Sequence, residues 1–440
     1  MRDGFIKVAA GTPKIRVADC GYNAEQIIAL MKEAAARGVK VLALPELCVT
    51  GYTCGDLFLQ DALLDGAERA LERILEETKE LDMLTAVGLP VRHQSELYNC
   101  AALSHKGRLL GLVPKTHLPN YSEFYEQRWF ASGGTLRDYA ELAGQRAPMY
   151  SRMLLECASL PELVIGVEIC EDLWAADPPS TTLAGAGATL ILNLSASDEI
   201  AGKAAYRRQL VSGQSARLLC GYVYADAGEG ESTTDLVFAG HNLIAENGTI
   251  LAEKRFETGL IVSEIDVDRL AYERRRSTTF TSKKDLDRYW YSVLQLELSD
   301  TALTRPVSPA PFIPEGAGAR AERCEEILTI AALGLKKRLE HTNASCAVVG
   351  LSGGLDSTLA ILITARAFDM LGRGRKDILA VTMPCFGTTR RTRSNAELLA
   401  AELGADFREI DIGGAVRRHF ADIGQSMEDH SVTFDNGQAR

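Results

Sequence analysis

GVEICEDLW, residues 166–174, ends an apolar, strand-like run with Cys170, and two acidic residues follow it at once. Glu168 lies two positions upstream, so carboxyl groups flank the thiol on both sides in the sequence. A free cysteine titrates near pH ~8.5, and neighbouring carboxylates raise that value. If Cys170 carries out chemistry, groups from other segments must therefore help to remove its proton.

The segments around this run alternate between strand-like and helical patterns. Apolar runs that predict buried strands cover 39–47, 84–93, 97–115, 162–170, 188–197 and 218–228. Asn247-Gly248 is typical of a hairpin turn. Residues 23–38 predict an amphipathic helix, with Asn23 as its N-cap and Gly38 as its stop signal. Many strands with amphipathic helices favour a layered α/β domain that ends near residue 270.

The composition is that of an ordinary globular protein, with 440 residues, 46% hydrophobic and 24% charged. This length predicts two or three domains with ample core. The net charge of -11 argues against a nucleic-acid partner. We see no apolar run of membrane-spanning length and no signal peptide, which favours a cytoplasmic protein without membrane contact. The ten cysteines lack CxxC pairs, which argues against a disulfide framework or a metal site.

The second part of the chain follows a segment of different composition. We interpret residues 271–320, with the stretch TRPVSPAPFIPEGAGAR, as an interdomain linker. Beyond it we predict, in order, a helix (321–341), a strand (346–351), a Gly-rich turn, a helix (357–370) and a strand (377–384). This order predicts a parallel sheet. The expected division is therefore 1–270, 271–320 and 321–440.

Three chemically reactive residues each follow a strand-like run: Glu46, Lys115 and Cys170. Side chains at strand ends in a layered sheet can converge on one pocket although they are distant in sequence. A lysine ammonium beside a sulfur favours the thiolate, and a carboxylate can carry the proton away. Each residue also fits a plain role, since a cysteine at a strand end is more often a core residue. Spacing alone leaves both interpretations open.

Three segments together resemble the nitrilase superfamily of carbon–nitrogen hydrolases: LALPELCVTGY (42–52), VPKTHLPNYSEFYEQRWF (113–130) and GVEICEDLW. The resemblance covers roughly residues 4–270 and implies an α-β-β-α sandwich with Glu46, Lys115 and Cys170 as the catalytic triad. It implies that Cys170 attacks an amide and that Glu46 transfers the proton. The oxyanion would be held by Lys115 and a backbone N–H next to Cys170.

The form EICEDLW and the segment NLSASDEIAGK (193–203) resemble, more narrowly, the glutaminase domain of the glutamine-dependent NAD synthetase family. This resemblance implies an L-glutamine substrate and no tightly bound cofactor in this domain. The residues that it implies as glutamine contacts are Tyr121, Glu171, Ser197 and Lys203.

A Gly-rich turn, GLSGGLDST (350–358), lies between a predicted strand and a predicted helix. Such a turn lets the backbone approach a polyphosphate closely. It is not a Walker A loop, because no Gly-Lys-Ser/Thr follows, and an ordinary capped turn is the alternative. SGGxDS resembles the pyrophosphate loop of the N-type ATP pyrophosphatases, which implies binding of ATP with Mg²⁺ as a co-substrate. The implied residues are Gly350, Ser352, Gly353, Gly354, Asp356 and Ser357.

Two further segments, TMPCFGTTRRTRSNA (382–396) and TFDNGQAR (433–440), resemble the NAD synthetase version of this fold. They imply that Met383 lies near the adenine and that Asn436 and Arg440 contact deamido-NAD⁺. The family's synthetase domain continues well beyond this point. We therefore expect the parallel-sheet PP-loop domain of this chain to be truncated and its ligase half incomplete.

The sequence thus predicts a glutamine-hydrolysing NAD⁺ synthase, in which ammonia from L-glutamine amidates deamido-NAD⁺ at the expense of ATP. A homo-oligomer is implied by resemblance only. One alternative is a stand-alone glutaminase or amidase with a non-functional synthetase remnant. Another is a non-enzymatic binding or regulatory module. A glutaminase assay with and without ATP and deamido-NAD⁺ distinguishes these hypotheses.

Overall fold

The chain forms two compact units, Met1–Val307 and Ser308–Arg440. The structure is a computed structural model and describes residues 4–385 and 390–426, with the backbone alone at 390–393. The first part of the expected linker, residues 271–307, therefore lies within the first unit. Of the helices in the described ranges, none is both long enough and apolar enough to cross a membrane.

The described residues of the first unit form two β-sheets and several helices. The strands are β1 (Phe5–Thr12), β2 (Val41–Ala43), β3 (Leu84–His93), β4 (Glu96–His105), β5 (Arg108–Pro114), β6 (Arg137–Leu142), β7 (Gln145–Tyr150), β8 (Met153–Cys157), β9 (Val164–Ile169), β10 (Leu190–Ser195), β11 (Gly221–Asp226), β12 (Asn242–Glu246), β13 (Thr249–Lys254), β14 (Gly259–Asp266) and β15 (Trp290–Leu294). The helices are α1 (Cys20–Ala36), α2 (Asp61–Glu77), α3 (Glu171–Trp174), α4 (Pro179–Gly185), α5 (Lys203–Leu218) and α6 (Val267–Arg276).

Each sheet of the first unit combines parallel and antiparallel strands. The first has the order β14-β1-β2-β3-β4-β5-β7-β6, and the second has the order β13-β12-β11-β10-β9-β8-β15. Strands β1, β2 and β3 are parallel to one another, and so are β9, β10 and β11. Parallel neighbours bring their carboxyl ends to the same edge of a sheet, and the loops after β2, β9 and β10 leave from such edges.

The two sheets pack face to face and are covered by helices on both outer sides. Val8 and Ala86 of the first sheet share one apolar core with Val167 and Leu192 of the second. Helices α1 and α2 pack on the outer face of the first sheet, and α4 and α5 pack on that of the second. Burial of each large aliphatic side chain in these layers stabilises the fold by about 1.5–3 kcal/mol. The predicted α-β-β-α sandwich is confirmed.

Local predictions in this unit are mostly confirmed, with one exception at α1. The hairpin at Asn247-Gly248 connects β12 to β13. The predicted N-cap at Asn23 is wrong, because α1 begins at Cys20 and Asp19 caps it by accepting the Tyr22 N–H. Asn23 is instead buried, and its Nδ2 donates to the carbonyls of Arg16 and Val49. The polar side chain thus ties two loops to the helix from inside its first turn.

The second unit has a parallel sheet and its own core. Its described elements are α7 (Ala317–Thr342), β16 (Ala347–Gly350), α8 (Leu355–Met370), β17 (Ile378–Thr382), α9 (Arg390–Leu403), β18 (Asp406–Glu409) and α10 (Gly413–Asp422). The strand order is β16-β17-β18, and both pairs are parallel, as the βαβ pattern predicts. Ile361, Phe368 and Ile378 are fully buried in the core between sheet and helices.

Candidate active site

The three candidate catalytic residues leave the ends of strands in both sheets of the first unit. Lys115 follows β5 directly, and Cys170 follows β9 directly. Glu46 lies three residues after β2, where Leu44 N–H still donates to Ala86 in β3. All three side chains are nearly inaccessible to solvent, with exposures of 1% for Glu46, 0% for Lys115 and 6% for Cys170. Strand ends from two facing sheets thus converge in the interior.

Lys115 is held between two buried carboxylates. Its Nζ lies 2.6 Å from Glu46 Oε1 and 2.6 Å from Glu126 Oε1. Burial alone lowers the pKa of the Lys115 ammonium. The charges of Glu126 and Glu46 together raise it by more than burial lowers it, so the pKa of Lys115 is well above its ordinary value. The two neighbouring carboxyl groups thus favour the charged ammonium form of Lys115 in the folded protein.

Glu46 is fixed by hydrogen bonds in addition to the ion pair. Asn99 Nδ2 donates to Glu46 Oε1 at 2.6 Å, and the Ala196 N–H donates to Oε2 at 3.0 Å. The first donor comes from β4 in the first sheet, and the second follows β10 in the second sheet. Both carboxylate oxygens are thus oriented by opposite layers of the sandwich, which holds the group in one direction.

Glu126 is a buried member of this cluster that the sequence reasoning missed. It lies in the loop after β5, is 1% exposed, and accepts a hydrogen bond from Tyr52 Oη at 2.9 Å as well as the ion pair from Lys115. Burial raises its pKa to about 7, although Lys115 opposes the shift. The available signal was its setting in FYEQRWF, where one acid stands among aromatic residues that favour burial.

Asp172 joins the strand end that carries Cys170 to the one that carries Lys115. Its carboxylate accepts N–H groups from Ile169 at 3.0 Å and from His117 at 2.8 Å. The carboxylate two residues after the candidate nucleophile therefore joins the backbone at the end of β9 to the backbone of the loop after β5. Burial raises its pKa to about 6, and these N–H groups oppose the shift.

The backbone at Cys170 adopts a conformation that residues with a side chain rarely occupy, with φ 44° and ψ -99°. Strain of this kind costs about 1–3 kcal/mol and persists only where surrounding contacts hold it. The Cys170 N–H donates to the Leu194 carbonyl at 2.9 Å and to Asn193 Oδ1 at 3.2 Å. Both acceptors belong to β10, so the sharp turn after β9 is fastened to the neighbouring strand.

The surroundings of Cys170 favour its neutral thiol form. Burial raises its pKa well above the ordinary value, the Glu46 charge raises it further, and Lys115 lowers it. Because Lys115 is shared by two carboxylates, its charge does not outweigh burial. Activation of Cys170 by Lys115 together with Glu46, as the sequence predicts, stays a prediction. The Glu46 carboxyl group is close enough to the thiol for its charge to act on the Cys170 pKa.

The four candidate glutamine contacts follow the ends of β5, β9 and β10: Tyr121 and Ser197 lie in loops, Glu171 begins α3 and Lys203 begins α5. Tyr121 Oη donates to Glu171 Oε1 at 2.8 Å, and this pair is on the outer side, where Tyr121 is 55% exposed. Lys203, at the start of α5, forms an ion pair with Asp198 and lies 5.7 Å from the ring centre of Phe124. The Phe124 ring in turn contacts Tyr121 edge to face, with 6.2 Å between centroids.

Ser197 is buried and is supported by Arg207, which the sequence reasoning did not single out. Arg207 is 0% exposed, and its Nη2 donates to Ser197 Oγ at 3.0 Å and to the Asp198 carbonyl at 2.9 Å. Because the guanidinium already donates a hydrogen bond to Ser197 Oγ, the Ser197 hydroxyl hydrogen can point towards another acceptor. The signal in the sequence was faint, since arginine on a helix is normally exposed.

The second unit brings its candidate ATP residues together in one turn. Gly350 ends β16, and the turn that follows leads directly into α8, with Gly353 at φ 79°. Ser357 Oγ accepts the Ser352 N–H at 3.2 Å and donates to the Gly354 carbonyl at 3.1 Å. A positive φ at Gly353 is a conformation that favours glycine, which explains that residue in the pattern.

The remaining candidates of this unit lie at its sheet edge or outside the described ranges. Asp356 is in the first turn of α8, and Met383, just after β17, is 51% exposed. A Cβ placed on Gly350 would be 3.9 Å from Met383 Cε, so this side chain borders the turn. Asn436 and Arg440 lie outside the described residues. Within residues 4–385 and 390–426, no cluster of three His, Cys, Asp or Glu side chains could hold a metal ion.

An α-β-β-α sandwich with a buried carboxylate, ammonium and thiol at converging strand ends defines a cysteine-dependent hydrolase architecture. Residues 7–275 match the carbon–nitrogen hydrolase family, and the chain belongs to this family. Residues 327–440 match the NAD synthase family.

The relatives found combine both regions. A glutamine-dependent NAD(+) synthetase of Mycobacterium tuberculosis is 40% identical over 452 residues, covering 99% of this chain and 66% of that protein. The enzyme of the same name from Aquifex aeolicus is 29% identical and covers 96% of this chain and 69% of that protein. The chain thus spans about two thirds of the length of these relatives.

Solved structures support the fold. A glutamine-dependent NAD(+) synthetase from Cytophaga hutchinsonii aligns with a TM-score of 0.54 and 23% identity, covering 99% of this chain and 70% of that one. The synthetase of Acinetobacter baumannii in complex with ADP aligns with a TM-score of 0.50 and 22% identity, with the same coverage of the two chains.

Proposed function

We propose that this chain carries the glutaminase domain and the first part of the synthetase domain of a glutamine-dependent NAD⁺ synthetase. The observation that carries the proposal is the buried set of Glu46, Lys115 and Cys170, all at strand ends of a carbon–nitrogen hydrolase sandwich. Relatives with this name align along 99% of the chain. The stand-alone amidase alternative is not favoured, because residues 327–440 match the NAD synthase family.

In the proposed glutaminase reaction, Glu46 takes the proton of the Cys170 thiol while the sulfur attacks the side-chain carbonyl carbon of L-glutamine. The Lys115 ammonium, with its high pKa, stabilises the oxyanion as a fixed positive charge. Cys170's own N–H is bonded to β10, so a neighbouring backbone N–H is the better second donor. The raised pKa of the Cys170 thiol supports a direct role for Glu46 as the base.

Glu46 then returns the proton to the leaving nitrogen, the C–N bond breaks, and ammonia departs from a Cys170 thioester. Water attacks this thioester, gives its proton to Glu46, and the sulfur leaves as L-glutamate forms. Glu46 is suited to both transfers because Asn99 and the Ala196 N–H hold its two oxygens in fixed directions. The thiol is regenerated when Glu46 gives back the proton.

We assign substrate recognition to the four residues around the entrance. Lys203 and the Ser197 hydroxyl can both donate hydrogen bonds to an acceptor group of the substrate, since Arg207 occupies the Ser197 oxygen and leaves its hydrogen available. Glu171, oriented by Tyr121, suits a positively charged group. L-glutamine carries a carboxylate and an ammonium at the end that does not react, so the two kinds of charge match this amino acid.

For the second unit we propose that the turn after β16 binds the phosphates of ATP, with Mg²⁺ arriving as part of that substrate. Gly350, Ser352, Gly353, Gly354, Asp356 and Ser357 are the proposed contacts, and Met383 borders the adenine. The nicotinate carboxylate of deamido-NAD⁺ would attack the α-phosphorus and release pyrophosphate. Ammonia would then displace AMP to give NAD⁺. Contacts of Asn436 and Arg440 with deamido-NAD⁺ stay predictions, as do a homo-oligomer and a cytoplasmic location.

The decisive experiment compares glutamine hydrolysis by the chain with that of Cys170→Ala. We expect ammonia release from L-glutamine by the unmodified chain and at least a ~1000-fold loss in the variant, because the nucleophile is gone. Cys157→Ala is the matched control, since Cys157 is equally buried and ends the adjacent strand β8 in the same core. Equal glutamine turnover in Cys170→Ala and Cys157→Ala would refute the assignment of the nucleophile.

A further inference from the structure

A chain of three buried polar side chains runs behind Cys170, on the side away from Glu46 and Lys115 in the bonding network. Asn193 Oδ1 accepts the Cys170 N–H at 3.2 Å, and Asn193 Nδ2 donates to Tyr222 Oη at 3.2 Å. Tyr222 Oη donates to Glu168 Oε1. Asn193 and Tyr222 are 0% exposed and Glu168 is 1% exposed. These side chains come from the three adjacent parallel strands β10, β11 and β9.

The direction of this hydrogen-bond chain is fixed at its Cys170 end. The Cys170 N–H can only donate, so Asn193 turns Oδ1 towards Cys170 and Nδ2 towards the Tyr222 oxygen. The Tyr222 hydroxyl hydrogen is then left to donate to Glu168. The second Glu168 oxygen accepts the Ser180 N–H at 2.7 Å, which anchors the carboxylate to α4. Nothing in the chain is free to reverse without breaking a buried hydrogen bond.

A polar network at this depth is not what packing alone favours. Apolar side chains of similar volume commonly give an equal or greater stability than a buried ionisable group. The neighbours of Tyr222 on this side of the sheet, such as Leu183, Ile191 and Leu243, are indeed apolar. The network therefore calls for a role beyond filling the core.

The strained turn at Cys170 supplies that role. Its φ of 44° and ψ of -99° need contacts that hold the backbone in place, and its N–H has two acceptors on β10. We propose that Asn193, Tyr222 and Glu168 are positioning residues that fix the Cys170 backbone and so aim its sulfur at the substrate carbonyl. This proposal rests on the proposed glutaminase reaction at Cys170. None of the three residues is assigned contact with the substrate.

The environment of Glu168 agrees with this arrangement. Burial raises the pKa of Glu168 to about 7, the Asp172 charge adds to the shift, and the Tyr222 hydroxyl and the Ser180 N–H oppose it. Cys220 is a further titratable group close enough to interact with Glu168. The two hydrogen bonds favour the ionised carboxylate, but burial outweighs them, so Glu168 is mainly ionised only above about pH 7.

The test is steady-state glutamine hydrolysis by Tyr222→Phe in the full chain. Removal of the hydroxyl takes away the acceptor of Asn193 Nδ2, so Asn193 loses the contact that fixes it from the far side of Cys170. We therefore expect kcat to fall about 10- to 100-fold, as for other small misplacements of a reacting group. We expect KM to change less than about twofold, because the proposed substrate contacts are untouched. Tyr98→Phe is the matched control, since Tyr98 is 4% exposed on β4 and its hydroxyl also donates to a glutamate, Glu96.

A double-mutant comparison distinguishes positioning from a general loss of stability. If Tyr222 acts through Asn193, then Asn193→Leu and the double variant Asn193→Leu/Tyr222→Phe will have the same kcat. Additive losses in kcat, or an effect of Tyr222→Phe no larger than that of Tyr98→Phe, would overturn the proposal. If Tyr222→Phe does not fold, Glu168→Gln, which keeps shape and volume, takes its place and the same kcat and KM outcomes apply. Failure of the unmodified chain to hydrolyse glutamine would instead refute the proposed function itself.

Discussion

Lys115 illustrates how much a single buried residue depends on its partners. Three ionisable groups, Glu46, Lys115 and Glu126, meet without solvent, and two full carboxylates beside one ammonium would leave a net negative charge. A proton on Glu126 near neutral pH removes that excess, which agrees with its pKa of about 7. The residue that the sequence did not point to thus sets the charge balance of those that it did.

The pH dependence of stability tests this balance at the residue scale. The pKa of Glu126 is raised from an ordinary 4.5 to about 7, so between these values the folded protein holds a proton that the unfolded chain has lost. The free energy of unfolding should therefore fall as the pH rises from about 4.5 to about 7. We expect a shallower fall for Glu126→Gln. Glu168, Asp172 and Asp226, whose pKa values are also raised, should account for much of what remains.

Tryptophan fluorescence in urea is the suitable measurement, because all three tryptophans lie in the first unit. Asp82→Asn is the control with the opposite sign. Burial alone raises the pKa of Asp82, but Lys40, the Glu297 N–H and His105 lower it to about 2. Its contribution is lost only as the pH falls below about 4, so the slope between 4.5 and 7 should not change. An unchanged slope in Glu126→Gln as well would contradict the raised pKa of Glu126.

At the scale of elements, the turn after β2 is shaped by the strand beside it. A Cβ on Gly88 in β3 would lie 2.3 Å from Leu47 N and 2.4 Å from Pro45 O, which are backbone atoms of the turn that carries Glu46. The absence of a side chain at this position in β3 is therefore what lets the turn pack down and present the carboxylate to Lys115 and Asn99.

Gly88→Ala should displace this turn and reduce glutamine hydrolysis at least tenfold, with a loss of stability of about 1–3 kcal/mol from overpacking. Steady-state kinetics and urea unfolding measure the two effects. Gly213→Ala is the control, since a Cβ on Gly213 in α5 meets nothing within 4 Å and alanine favours a helix by about 1 kcal/mol. Normal activity in Gly88→Ala would mean that Glu46 does not depend on this packing.

At the scale of the whole molecule, the chain carries two units with separate cores. Arg305 donates hydrogen bonds to the Glu246 carboxylate and to the Glu264 carbonyl. The chain that follows β15 is therefore attached to the sandwich as far as Arg305. Between Arg305 and the start of α7 at Ala317 no helix or strand is assigned in the described chain, and Val307 and Phe312 are 72% and 88% exposed.

Limited proteolysis should therefore cut first between residues 306 and 316. Brief digestion with a protease of broad specificity, followed by mass spectrometry, should give a fragment that ends just after Arg305 and contains the whole candidate glutaminase site. The loop at residues 227–240 serves as the internal comparison. Its Glu231 carboxylate accepts three hydrogen bonds, from the Tyr52 N–H, the Thr53 N–H and the Thr53 hydroxyl, and its Ser232 N–H donates to the Thr53 hydroxyl oxygen. First cleavage inside that loop would contradict this picture of the boundary.

Much of the fold followed from local patterns. The apolar runs predicted β3, β9, β10 and β11, and the βαβ order predicted the parallel sheet of the second unit. The Asn23 cap was predicted wrongly because an asparagine that caps a helix and one that ties two loops look alike in sequence. Glu126 and Arg207 were missed because a charged residue in a loop or on a helix gives no local sign of complete burial.

The sequence by itself determined the element types and the layered class of the first unit, because these depend on periodicity and residue type. It singled out Glu46, Lys115 and Cys170 only through the resemblance of their segments to a known family. Only the tertiary structure decided the raised pKa of Cys170, the second carboxyl group on Lys115, and the polar chain behind Cys170. Burial and the distances between charges set these properties, and both arise from contacts between segments far apart in the chain.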